Sequence, residues 1–252
     1  MGNKFTREKF VFLNSEEEWK KTGAFCVRFF DDGKESFVII DDKMPMQDDE
    51  FPFGRSSNPE ELWPTLLEKA YAKKYGSYSI IQGGHVHQAL GELTNGVPRL
   101  ILTAEEKNLE KLWSEMVSYH KEGAMLGAGS NSHEDGDSAA SPLGIVQGHA
   151  FSILRLVDAD GHKLMQIRNP WGRGEWTGDW SDDSEKWTTR LRNLVDWHET
   201  KDDGIFWIDL NDYVTEFDSV YVCRDFSDAK VWHRLEVDAR WEGPFCEGLP
   251  SR

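Results

Sequence analysis

His149 and Asn169 stand on two neighbouring β-prone runs at a spacing that can build an oriented base. The runs 149–156 (His-Ala-Phe-Ser-Ile-Leu-Arg-Leu) and 163–168 (Lys-Leu-Met-Gln-Ile-Arg) flank Asp158-Ala159-Asp160-Gly161-His162, the pattern of a β-hairpin. With the loop centred near Ala159 or Asp160, cross-strand partners have residue numbers totalling roughly 318–321, so His149 and Asn169 meet at the open end. An asparagine carbonyl oxygen there can accept an imidazole N–H, fixing the tautomer and the direction of the ring. A ring held that way is a usable base. Gly148 leaves room for a substrate backbone, and Trp171, in Asn169-Pro170-Trp171-Gly172, puts an indole where it can cover the His–Asn bond from water. Taken by itself, the pair reads more simply as a strand histidine that bonds its neighbour.

Other reactive side chains are less organised. His85-Val86-His87 on a strand would put two imidazoles on one face, but zinc takes three or four ligands and no further cluster is evident. The three cysteines, Cys26, Cys223 and Cys246, are odd in number and lack metal-ligand spacing, as expected of reduced thiols in a cytosolic chain. Cys26 falls inside a strand, away from any helix N-terminus that would lower its pKa, and reads as a small buried hydrophobe.

The elements that must hold these residues can be outlined. Ala24–Phe30 and Glu35–Ile40 flank Asp31-Asp32-Gly33-Lys34, a first hairpin. Asn58 and Pro59 suit the cap and first position of a helix carrying Leu62, Leu66, Leu67, Ala70 and Tyr71 to Gly76, with Pro64 bending it or marking its true start. Thr103-Ala104-Glu105-Glu106 has the form of a capping box before a helix with Leu109, Leu112, Trp113, Met116 and Val117 on one side, ending at Gly123. Residues 126–146, rich in Gly, Ser, Asn and Asp, read as a long surface loop of the kind that forms lids. Short strands are expected at 204–207 and 219–223, with a helix over 211–217 between them.

Composition narrows the partners. The chain has 252 residues, 38% hydrophobic and 12% aromatic with 11 Trp, which describes a folded chain with a sizeable core. A formal net charge of −16 repels phosphate backbones, so nucleic acid is excluded as a general partner and a cation such as Ca²⁺ is favoured. No apolar run approaches the ~18 residues of a membrane span. Met1-Gly2-Asn3-Lys4-Phe5-Thr6 fits the loose pattern for myristoylation at Gly2, which chance also produces. The expected location is cytoplasmic, with peripheral membrane contact if Gly2 is acylated.

Gly148-His149-Ala150-Phe151-Ser152, Arg168-Asn169-Pro170-Trp171-Gly172 and Glu175-Trp176-Thr177-Gly178-Asp179-Trp180-Ser181-Asp182 together resemble the histidine and asparagine motifs of the calpain family of cysteine proteases. The likeness extends upstream through Asp41–Pro45 and Leu62–Lys73 and downstream through Asp202–Trp207, covering most of residues 20–226. It implies an α+β fold, the second subdomain of a papain-like cysteine protease, with an antiparallel sheet or barrel and flanking helices. It also implies that His149 takes the thiol proton, Asn169 orients the ring, Trp171 shields the contact, and the loop ending at Gly148 gates the cleft. Calcium ligands would fall on Glu175, Asp182, Asp203 and the carbonyl of Lys201, while Ile205 replaces a further acidic ligand and would weaken the site.

No cysteine here stands in the glycine-aspartate-cysteine-tryptophan setting that the family uses. The resemblance therefore implies a lead-in over 1–19, a His- and Asn-bearing subdomain over 20–226, and the start of a following β-sandwich over 227–252, with both ends reading as cuts. Its partners would be a cysteine-bearing subdomain and a protein or peptide substrate. The expected activity is that of one part of a calcium-dependent cysteine endopeptidase, inactive alone. The alternatives are a pseudoenzyme that binds peptides or partners through its old cleft, and a Ca²⁺-responsive structural module.

Overall fold

The computed structural model describes residues 13, 16–48, 51–56, 58, 61–197 and 203–226. In chain order the main elements are α1 (Glu16–Thr22), β1 (Ala24–Asp31), β2 (Lys34–Asp41), α2 (Trp63–Tyr75), α3 (Val86–Thr94), β3 (Val97–Leu102), α4 (Leu109–Lys121), β4 (Met125–Ser130), β5 (Ala150–Ala159), β6 (His162–Arg168), α5 (Thr189–Leu194), β7 (Ile205–Asp209), α6 (Leu210–Glu216) and β8 (Phe217–Arg224). The class is α+β, as expected. β1 and β2 form a two-stranded sheet, and the other six strands form one antiparallel sheet in the order β3-β8-β4-β5-β6-β7.

Both sequence-predicted hairpins form, and both turn on an Asp-Gly pair. Asp32 and Gly33 have φ of 50° and 78°, and Asp160 and Gly161 have 53° and 84°. Positive φ at both central residues gives the turn whose twist matches that of the flanking strands. The β1–β2 pair folds onto α2: Phe25, Val27, Phe29 and Ile40 share a core with Leu66 and Ala70. Lys74 ties this body to α3 by bonding Asp31 at 2.6 Å and Glu92 at 2.9 Å.

The large sheet is covered on both faces. Leu112, Trp113, Met116 and Tyr119 of α4 enter a core with Ala128, Met165, Ile208, Val220 and Val222. A second cluster joins Leu164 and Trp207 to Trp180, Trp187 and Leu191. Neighbouring residues of β6 and β7 thus serve opposite cores: Leu164 and Trp207 face one, Met165 and Ile208 the other. Strands buried on both faces give β6 and β7 a rigid frame, and the site hangs from their ends.

Four expectations are corrected. α2 starts at Trp63, with Leu62 at its N-cap and Pro64 in the first turn, because proline tolerates the early positions where no amide needs an acceptor; Asn58 lies upstream and Pro59 outside the described residues. The supposed capping box at 103–106 is a 3₁₀ turn, and α4 is capped instead by Asn108, whose side chain accepts the Lys111 amide at 3.1 Å. Thr103 donates its hydroxyl to the Phe217 carbonyl at 2.8 Å rather than capping. His85 and His87 lie at the N-cap and in the first turn of α3, not on a strand.

The fourth concerns residues 126–146. Their first part is β4, whose residues 126–130 are all buried, so the surface loop is shorter and begins after Ser130. The glycines let strands approach closely: a Cβ on Gly127 would stand 3.2 Å from the Phe151 carbonyl oxygen.

Candidate active site

The hairpin register places the base differently from the sequence expectation. Partners across β5 and β6 run Ala159↔His162 to Arg155↔Gln166, after which a bulge at Leu154 shifts the pairing to Ile153↔Ile167 and Ser152↔Arg168. Continued outward, that register aims His149 at Trp171 rather than at Asn169. The rings of His149 and Trp171 do meet, with centroids 4.4 Å apart. Asn169 still reaches the imidazole, because it follows the last residue of β6 and its side chain comes in diagonally: His149 Nε2 and Asn169 Oδ1 are 3.0 Å apart.

Asn169 is fully buried and held at every polar atom. Its backbone N–H donates to the Gly204 carbonyl at 2.7 Å, its Oδ1 also accepts the Trp171 amide at 3.0 Å, and its Nδ2 donates to the Gly174 carbonyl at 3.2 Å. A backbone donor on one side and a backbone acceptor on the other permit only one orientation of the amide. The oxygen therefore faces His149, which must present Nε2 as the protonated nitrogen. In the neutral ring, Nδ1 is left as the basic one.

Burial favours the neutral ring. Burial pushes the His149 pKa below the ordinary histidine value, opposed by the Asn169 hydrogen bond and by the Asp137 carboxylate. Phe151 stands edge-on to the ring at 5.1 Å, while Trp171 is 47% exposed and closes the outer side. Gly148 has φ of +57°, a left-handed turn that glycine takes without strain, and donates its N–H to the Asn131 carbonyl at 2.8 Å. A Cβ there would touch Gly136 at 3.6 Å, so the loop carrying Asp137 packs beside the base.

The expected calcium ligands are only partly brought together. Glu175 Oε1 accepts the Gly204 amide at 2.8 Å, which joins its loop to the one carrying Asp203, and Asp203 Oδ1 accepts the Ile205 amide at 2.9 Å. Asp182 follows Ser181, whose carbonyl accepts the Trp187 indole at 2.9 Å. Lys201 and Gly2 lie outside the described residues. Among the described residues no group of three His, Cys, Asp or Glu side chains is placed to hold a metal ion. Glu175 and Asp203 each bond a backbone amide where their two loops meet.

The described cysteines are remote from the base. Cys223 is buried and pairs with Met125 at the start of β4, whereas the His149 carbonyl accepts the amide of Ser130 at its end, about 16 Å away along the strand. Cys26 lies on β1, in the two-stranded sheet, and Cys246 is outside the described residues. The His85 and His87 rings are 5.5 Å apart, and His87 stacks on Tyr221, a packing role. Two contributors to the site were not legible in the sequence: Asp137, and Ser130 inside the run read as loop.

A buried asparagine orienting a histidine under an indole is the arrangement of a thiol peptidase's base, and comparison with known proteins agrees. The model of the calpain family of cysteine proteases matches residues 3–224. The chain is 40% identical over 233 residues to the calpain-type cysteine protease DEK1 of Zea mays, covering 90% of this chain and 11% of that protein. It is 40% identical over the same length to the calpain-type cysteine protease ADL1 of Oryza sativa subsp. japonica, covering 10% of it. To Calpain-9 of Homo sapiens it is 36% identical over 237 residues, which are 90% of this chain and 33% of that protein. The chain belongs to the calpain family of cysteine proteases. It spans about a tenth of its plant relatives and about a third of the human one.

Proposed function

We propose that this chain supplies the base and its orienting amide to a calpain-like cysteine endopeptidase whose nucleophilic cysteine lies on a separate subdomain. The observation that carries this reading is the 3.0 Å contact between His149 Nε2 and Asn169 Oδ1, with the amide locked so that Nδ1 is the basic nitrogen. A thiol presented to Nδ1 gives up its proton to the ring, and the thiolate attacks the scissile carbonyl carbon. The imidazolium then returns the proton to the leaving amine as the C–N bond breaks. Water, deprotonated by the same nitrogen, hydrolyses the thioester and restores the thiol. Asn169 keeps the ring in plane throughout.

Calcium would be held by Glu175, Asp182, Asp203 and the Lys201 carbonyl, supplying charge that draws their loops together; Ile205 removes one carboxylate from that set. Acylation at Gly2 would add peripheral membrane contact to a cytoplasmic protein. Among the described residues no helix is long and apolar enough to cross a membrane.

The test is reconstitution. A cysteine-bearing calpain subdomain mixed with this chain should cleave casein, more so with Ca²⁺, and His149→Ala should abolish the cleavage. Failure with several correctly folded partners would defeat the reading. A second reading, a non-catalytic module that binds peptides or partners, draws on the exposed Trp171 indole beside His149, and peptide binding there without cleavage would support it.

A further inference from the structure

We propose that the Ser130 hydroxyl is a positioning group for His149, setting where the base stands through its main chain. This rests on the reading of His149 as the base. Ser130 is 4% exposed and closes β4. At this point the pairing of β4 with β8 slips, from Gly129↔Ser219 to Ser130↔Phe217, so the regular ladder is interrupted. On its opposite edge β4 pairs with β5 as far as Gly129↔Ala150, and there the Ser130 side chain takes up the next residue, His149. Its Oγ accepts the His149 amide at 2.9 Å and donates to the His149 carbonyl at 3.1 Å, while the Ser130 amide donates to the same carbonyl at 3.0 Å.

One hydroxyl therefore satisfies both main-chain groups of the base residue, using its single proton and one lone pair. The neighbouring amides bond elsewhere, Gly148 to Asn131 and Asn131 to Glu216. His149 precedes β5 and follows a left-handed glycine, so the strand ladder does not hold its amide; Ser130 does. Without the hydroxyl that amide would lack an acceptor, and the main chain could turn about Gly148, carrying the ring away from Asn169 Oδ1. An error of an ångström at a base is enough to cost catalysis heavily.

The test is made on the isolated chain by NMR with ¹⁵N-labelled histidine, following exchange of the His149 Nε2 proton with water. Asn169→Ala removes the acceptor and identifies the signal by its loss. Ser130→Ala should accelerate the exchange about tenfold, and Ser130→Thr, which keeps the hydroxyl, should retain the wild-type rate. A folded Ser130→Ala protein with wild-type exchange overturns the proposal. Should Ser130→Ala not fold, Ser130→Cys takes its place: an intermediate rate supports the proposal and an unchanged rate overturns it. In the reconstituted peptidase Ser130→Ala should lower kcat with KM unchanged. If the wild-type mixture shows no activity, the proposed function fails, while the exchange rates still decide the role of Ser130.

Discussion

Asn169 Oδ1 stands 3.0 Å from His149 Nε2, and the amide that carries it cannot turn, because the Trp171 N–H meets its oxygen and the Gly174 carbonyl its nitrogen. Asn169→Ala should therefore act twice. It leaves two part-buried main-chain groups, the Trp171 N–H and the Gly174 carbonyl, without their side-chain partner, a loss of about 1 kcal/mol in urea unfolding. It also frees the ring to take either tautomer, so the reconstituted peptidase should lose kcat by about a hundredfold or more with a smaller change in KM.

The depressed pKa of His149 sets a pH dependence whose sign follows from its cause. The base works when neutral, so the acid limb of kcat/KM should lie below the ordinary histidine value of 6.5. Asp137 opposes the depression, and Asp137→Asn should move that limb further toward acid. Stability is linked in the same sense. Between the folded and the unfolded pKa the unfolded chain binds more protons, so the contribution of His149 is complete above about 6.5 and is lost as pH falls to the folded pKa. Chemical shifts of the His149 ring through a pH titration measure the first effect, and urea midpoints across the same range the second.

Glu175 reaches the base through Gly204 and Asn169. Its carboxylate holds the Gly204 amide, and the Gly204 carbonyl holds the Asn169 amide at 2.7 Å. Glu175→Ala should loosen Gly204 and be felt at the His149 ring, seen as faster exchange of its Nε2 proton, even without calcium. If calcium binds between the Glu175 and Asp203 loops, titration with it should slow that exchange in the wild type and not in Glu175→Ala. Ile205→Asp, which restores a carboxylate, should raise the calorimetric affinity by about an order of magnitude.

What was legible in the sequence is what local chemistry dictates. The two Asp-Gly turns announced both hairpins, and the pair His149 and Asn169 was found from their spacing, although the strands take the upper end of the register range and not the value that faces the two residues. The tight turn at Asp160-Gly161 sets the register three residues away from the one that would face His149 with Asn169, and the bulge at Leu154, which leaves no mark in residue type, takes back one of them. Trp180 and Trp187 belong to a second core that alternation along β6 and β7 permits but does not announce. The capping box at Thr103 lost to a tertiary bond with Phe217, and His85 and His87 went to a helix because α3 packs against β1, β3 and β8.

The largest misreading, Gly127 to Ser130 as loop, carries the last prediction. Glycine depresses strand propensity, yet here its missing side chain is what lets β4 lie between β5 and β8. A Cβ on Gly129 would overlap the Ser219 hydroxyl oxygen and stand 2.6 Å from that of Tyr221. Ser219 cannot retreat freely, since it is 3% exposed and its carbonyl accepts the Tyr213 hydroxyl at 3.0 Å. Gly129→Ala should destabilise the protein by about 2–4 kcal/mol in urea unfolding, against a near-neutral Gly83→Ala, whose Cβ meets nothing within 4 Å. Adding Ser219→Ala should recover only part of the loss, because the Tyr221 oxygen remains. A Gly129→Ala protein as stable as wild type would mean that β4 does not sit in this sheet, and with it would fall the placement of Ser130 against His149.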